Sequence, residues 1–244
     1  MRLVVDSGFH FLPGKVETTE LPFGVAARLL LIYICTYAVQ HKTPRINFGS
    51  SAAQFLSCLG IRSTGGARGS LTSFKRQMEN LRCCNIECDY FYGAKLLSYC
   101  GPILKTSGSS ALSEFSWLNE VNLNIDFYES LVLERNAVPI DCRAVLALKG
   151  SALALDVYFM LCERLHRAPD TEKMLYWKNL RNQFGHEYAN TENGKRSFKR
   201  NFLNALLKVK LVYPDANVEP VRKGIIIKKS KPAIPKNDVK SGCV

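Results

Sequence analysis

One order of elements can be read twice along these 244 residues: helix, short strand, helix, polar turn, basic helix, hairpin. That order, together with a third helix in each half that is cationic on its outer face, predicts an α+β fold. The expected architecture is two tandem winged-helix domains, mostly helical with small β-hairpin wings. The length agrees, because a chain of this size suits two domains of about 100 to 120 residues. The expected divisions are 1–125, a first domain with an opening hairpin; 126–232, a second domain; and 233–244, a flexible basic tail.

In the first half, "RLVVD" and "FHFLPG" read as a hairpin across a Ser-Gly turn. "LPFG" opens a long buried helix that reaches about Gln40, with Pro22 in its first turn. Pro44 stops it, and "RINF" is a short strand. Ser50 or Ser51 caps the helix "SAAQFLSCLG", which ends at Gly60. After the loop "RSTGGARGS" comes the helix "LTSFKRQMENLRCC", then two strands of a hairpin around Gly93, the wing of this domain. "SWLNEVNLNID" reads as a strand and "FYESLVLERN" as a short helix.

Pro139 marks the boundary. "DCRAVLALKG" is a short helix, and "SALALDVYFMLCERLHRA" a long buried one that starts at a serine cap. "MLYWKNLRNQFG" supplies a strand and a helix ending at Gly185. The polar turn "EYANTENGKR" leads into the basic helix "RSFKRNFLNALLKV", and "LVYPDANVEPVRKGIIIKK" is the second hairpin.

Lys and Arg outnumber Asp and Glu by 33 to 21, a surplus that suits a polyanion, most commonly nucleic acid. The nine cysteines are odd in number and scattered, which predicts reduced thiols in a cytosolic chain rather than a disulfide scaffold. Their one cluster, "RCCNIEC", lacks the spacing of a zinc site, so no metal is expected. The apolar run "VAARLLLIYICTYAV" carries Arg28 and is too short to span a bilayer, so no membrane partner is expected.

The two basic helices differ in quality. On the first, Leu71, Phe74, Met78 and Leu81 form a core stripe, and Arg68, Thr72, Lys75, Arg76 and Glu79 lie roughly opposite. On the second, Phe198, Phe202, Ala205, Leu206 and Val209 share the inner side. Arg196, Ser197, Arg200, Asn201 and Asn204 share the outer one. Arg and Asn are the residue types that read guanine and adenine edges in the major groove. Lys195 and Lys199 flank that face near the helix N-terminus, where phosphate is favoured. Acidic residues are almost absent there, whereas an ordinary solvated helix mixes both signs. The second wing adds Arg222, Lys223, Lys228 and Lys229 as candidate phosphate contacts.

No phosphate-loop, nucleophile-elbow, zinc-protease or dinucleotide fingerprint occurs, and the four histidines lie far apart. No catalytic residue and no cofactor are expected, and the chain should act by binding.

Four stretches carry a family likeness: "LPFGVAARLLLIYICTYAV", "STGGARGSLTSFKRQMENL", "VPIDCRAVLALKGSALALDVYFMLCERL" and "KRSFKRNFLNALLKVKLVYPDANVEP". In this order, over roughly residues 20 to 230, the chain resembles the plasmid-encoded RepA family of replication initiators. The resemblance implies tandem winged-helix domains that bind repeated double-stranded sites at a plasmid origin. It further implies opening of an adjacent AT-rich stretch and recruitment of host replication proteins such as a helicase or initiator. In related initiators a homodimer can repress the initiator's own gene while monomers start replication. A cytoplasmic, plasmid-associated location follows.

The residues carried over are positional: Arg196, Lys199, Arg200 and Asn204 in the second domain, and Arg68, Thr72, Lys75 and Arg76 in the first. The chain begins almost at the first domain, where family members commonly carry more residues. An N-terminal element for dimerisation or helicase contact is therefore expected to be absent. "GGARGS" departs from the family pattern at Ala67 and Arg68, so the first domain's base preference does not carry over. The same helices would serve a winged-helix transcription regulator without initiator activity, and direct repeats beside an AT-rich segment distinguish the two.

Overall fold

The computed structural model describes residues 2–12, 14–92, 95–105, 119–132, 137–166 and 172–234. The fold is α+β, with eight helices and small antiparallel sheets among those residues. The chain divides into two compact units at Ala137–Val138. The sequence alone places residues from 126 onward in the second domain. The helix that follows residue 124 instead packs against the long helix of the first unit.

In the first unit the strands β1 (Arg2–Asp6), β2 (Phe9–Leu12) and β3 (Lys15–Thr18) lead into α1 (Gly24–His41). There follow β4 (Arg45–Asn47), α2 (Ala52–Cys58), α3 (Ser70–Cys83), β5 (Asn85–Tyr92), β6 (Lys95–Pro102), β7 (Leu104–Lys105), β8 (Glu120–Leu123) and α4 (Ile125–Val132). α1 is long and apolar enough to cross a membrane by length and composition. Six of its 18 residues are buried, Leu29, Leu30, Ile34 and Ala38 among them, and it packs on α3 and α4. Pro22 lies before the N-cap Phe23 rather than in the first turn. Ser51 caps α2 by accepting from the Gln54 N–H at 3.2 Å, and Gly60 closes it at φ 60°.

Two pairings differ from the sequence expectation. β1 does not fold back on β2: it pairs antiparallel with β5, and β2 pairs with β3. The reason is visible at Gly8, where a Cβ would lie 1.8 Å from the Cys83 carbonyl oxygen. Ser7-Gly8 therefore passes tightly over the end of α3 instead of turning. The expected wing hairpin β5–β6 does form, with Tyr92 opposite Lys95, but it belongs to the β1-β5-β6 sheet. The strands beside β4 are β8 and then β7, in the order β4-β8-β7.

The second unit contains α5 (Cys142–Leu148), α6 (Ala152–His166), β9 (Lys173–Tyr176), α7 (Trp177–Phe184), α8 (Glu192–Val212), β10 (Val218–Val221) and β11 (Gly224–Ile227). Its sheet order is β10-β11-β9. In each unit, then, the strand after the long helix pairs with the last strand, and two helices lie between them in sequence. α6 and α8 form the main helix pair, and Leu155, Tyr158, Leu161 and Leu165 of α6 are buried. The Tyr158 hydroxyl, wholly buried, accepts from the Asp141 N–H at 2.9 Å and ties the start of α5 to α6.

Of the described free cysteines, Cys84 and Cys162 are buried, and Cys58 and Cys100 are exposed. Burial pushes the thiols of Cys35 and Cys162 up to about 12 and that of Cys84 to about 11, so they stay protonated at neutral pH. Seven described cysteines are free, whereas Cys142 is disulfide-bonded, a departure from reduced thiols throughout. Among the described residues no group of three or more His, Cys, Asp or Glu is placed to hold a metal.

Candidate nucleic-acid interface

α8 begins earlier than "RSFKRN" because Thr191 caps it, accepting from the Gly194 N–H at 3.1 Å. Lys195 and Arg196 therefore sit inside the first two turns. The inner side is as the periodicity predicts: Phe198, Phe202, Ala205, Leu206 and Val209 are all buried. Phe202 is enclosed by Trp177, Phe184 and Phe198, with ring centroids 5.7 to 6.2 Å away. This packing fixes the rotation of the helix and so determines which side chains face out.

Arg196, Arg200 and Asn204 are exposed at successive i,i+4 positions. Among the described residues, no hydrogen bond or ion pair holds their side chains. Other candidates are engaged locally. Lys195 pairs with Glu192 at 2.7 Å, and that cation keeps the Glu192 carboxyl below its usual range. The Lys199 ammonium lies 5.1 Å from the Trp177 ring centroid, a cation–π contact that fixes its direction. Ser197 and Asn201, expected to face outward, are half-buried, and the Asn201 amide donates to the Tyr188 hydroxyl at 2.9 Å. In the turn between β10 and β11, Arg222 and Lys223 are exposed, while Lys228 is paired with Glu172 at 2.5 Å.

Beside the N-terminal half of α8 opens a cleft of about 930 Å³. Six cations line it, namely Lys178, Arg181, Lys195, Arg196, Lys199 and Arg222, with Trp177 and Tyr188 between them, and no described carboxylate lines it. Four of the six are legible in the sequence. Lys178 and Arg181 escape that reading because they lie on α7, outside either basic helix. Arg181 also holds the backbone: its guanidinium donates to the Tyr188 and Ala189 carbonyls and to Asn190 Oδ1 at 3.0 to 3.2 Å. It thereby fixes the α7–α8 turn that sets where α8 starts.

That turn has no room to spare. A Cβ on Gly194 would lie 1.9 Å from the Ala189 carbonyl oxygen. Gly194→Ala is expected to destabilise the second unit by about 1–3 kcal/mol, because the backbone of the turn must move. A lowered urea midpoint measures this, and an unchanged midpoint contradicts it.

The first unit offers less. Thr64 and Ser70 latch the glycine-rich loop onto the start of α3: the Ser70 N–H donates to Thr64 Oγ1 at 2.9 Å, and the Thr64 N–H donates to Ser70 Oγ at 3.0 Å. The Leu71 N–H donates to the Thr64 carbonyl. The helix-start amides that would attract phosphate are thus partly occupied. The Thr72 hydroxyl donates to the Gly66 carbonyl at 2.8 Å, and the Arg76 guanidinium lies 5.5 Å over the Phe23 ring. Glu79, on the outer face, is paired with Arg82. Arg68 is exposed in the turn before α3, and Lys75 is half-buried. On this geometry α8 presents the more open face.

Neither the curated proteins nor the solved structures contain a significant match to the chain. A family model described as "Plasmid encoded RepA protein" matches residues 21–178, more than half of the chain. The match runs from the approach to α1 through β9 into the start of α7 and ends before α8. The chain belongs to this family of RepA-type replication initiators.

Proposed function

We propose that the chain starts plasmid replication by binding repeated double-stranded sites at the origin, with α8 as the recognition helix of a second winged-helix domain. Binding promotes opening of the origin and recruits host replication proteins. The protein acts in the cytoplasm on plasmid DNA and needs no catalysis of its own. The observation that carries this reading is the outer stripe Arg196, Arg200 and Asn204. No described hydrogen bond or ion pair holds it, and its first residue, Arg196, lines the cleft together with five other cations and no described acid. Arg200 and Asn204 have the donors for guanine and adenine edges. Lys178, Lys195 and Lys199 suit phosphate, as do Arg222 and Lys223 of the wing, positioning the protein without reading sequence. The shared order of helix, strand, two helices and closing strands, four in the first unit and two in the second, supports a winged-helix plan in each unit, with Arg68, Lys75 and Arg76 as the first unit's candidates. A homodimer form would use surfaces other than α8.

Salt dependence tests the electrostatic part. Four or more phosphate contacts give a slope of log K against log salt of about −3.6 or steeper, roughly a hundredfold loss of affinity from 50 to 200 mM. A slope near zero on duplex DNA means that the cationic cleft does not meet a phosphate backbone.

A further inference from the structure

The outer stripe of α8 does not end at Asn204. Leu207 is 64% exposed, although the helix buries five other apolar side chains. At 100° per residue, Arg196, Arg200, Asn204 and Leu207 fall within an arc of about 80°. Leu207 lies about 16 Å beyond Arg196 along the axis, roughly five base-pair steps. An exposed leucine in line with unpartnered arginine and asparagine is not a core residue. It leaves an apolar surface where the helix would meet base edges. The thymine C5-methyl is the one apolar group that a base pair presents in the major groove.

Resting on the reading of α8 as the recognition helix, we propose that Leu207 is a specificity residue that packs on a thymine methyl in the major groove. The selected site then has a polarity. Guanine is read near the start of the helix by the arginines, and A·T pairs are read further along by Asn204 and Leu207. Lys208, exposed beside Leu207, keeps the region cationic, so its partner is the polyanionic duplex. Leu211, 83% exposed, falls on the same arc one turn further on, and the methyl contact is assigned to Leu207 because it lies nearer the arginines.

The test uses the full chain. A preferred duplex is selected from a random pool, and each thymine is then replaced in turn by deoxyuridine, which lacks only the methyl group. Wild type is expected to lose about threefold to fivefold in affinity at one position at least, the equivalent of one buried methyl. Leu207→Ala should bind thymine and uracil duplexes equally, whereas Leu207→Met should keep the preference. Leu207 is exposed, so these variants should fold. Three outcomes overturn the proposal: equal affinity for thymine and uracil at every position, an alanine variant that keeps the preference, and a variant that changes oligomeric state but not site choice. If the pool yields no enriched sequence, the recognition-helix reading itself falls, and the proposal falls with it.

Discussion

Arg200→Ala weakens binding to the origin repeat by about 1–3 kcal/mol, roughly fivefold to 150-fold, with a much smaller loss on random DNA. The expectation rests on where the side chain lies. Arg200 is exposed on the middle turn of the stripe, two turns from the start of α8, and no described residue engages its guanidinium. Removing it therefore costs no described internal contact, and any loss of affinity reports on the partner. A bidentate guanine contact disappears with the guanidinium, whereas a phosphate contact is lost on every sequence alike. Titration of the selected duplex and of a random duplex separates the two. Equal losses would assign Arg200 to the backbone and leave Arg196 and Asn204 as the readers. No loss on either duplex would remove Arg200 from the interface.

Phe202→Ala destabilises the second unit by about 3–5 kcal/mol, an effect on folding rather than on recognition. Phe202 is fully buried and meets Trp177, Phe184 and Phe198. It joins α7 and α8 at the point that fixes the rotation of α8. A cavity there releases the helix, and DNA binding is lost with the fold. Urea denaturation together with amide hydrogen exchange measures it. The midpoint should fall and protection should drop along α6 and α8. An unchanged midpoint would mean that this aromatic cluster does not hold α8 in place.

The parts of this molecule that are legible in its sequence are those governed by local periodicity. The 3.6-residue repeat of Phe198, Phe202, Ala205, Leu206 and Val209 marks the buried side of α8 residue by residue, and so marks Arg196, Arg200 and Asn204 as its outer side. Helix starts at Ser51 and Ser151 are readable because a cap is a contact over two or three residues. Strand partners are not readable. β1 pairs with β5, 79 to 87 positions away, and β4 with β8, 73 to 77 positions away, and no local pattern specifies a partner at that distance.

The site shows the same limit. Lys178 and Arg181 join the cleft only because α7 folds against α8, and Arg181 holds the intervening turn besides. Asn201 looks free on a helical wheel, yet Tyr188 arrives from that turn to occupy it. On α3, the glycine-rich loop folds back onto the helix start and takes amides and hydroxyls that the wheel leaves open. Charge and periodicity rank faces, and only packing shows which of them stay free.

Footprinting on the replicon that encodes this chain tests the central claim most directly, with wild type and the Arg196→Ala/Arg200→Ala variant compared side by side. Wild type should protect a set of repeated duplex sites next to an AT-rich segment at submicromolar concentration, and the folded variant should lose that protection. Absence of any protected repeat, or an undiminished footprint from the variant, would contradict α8 as the element that reads the origin.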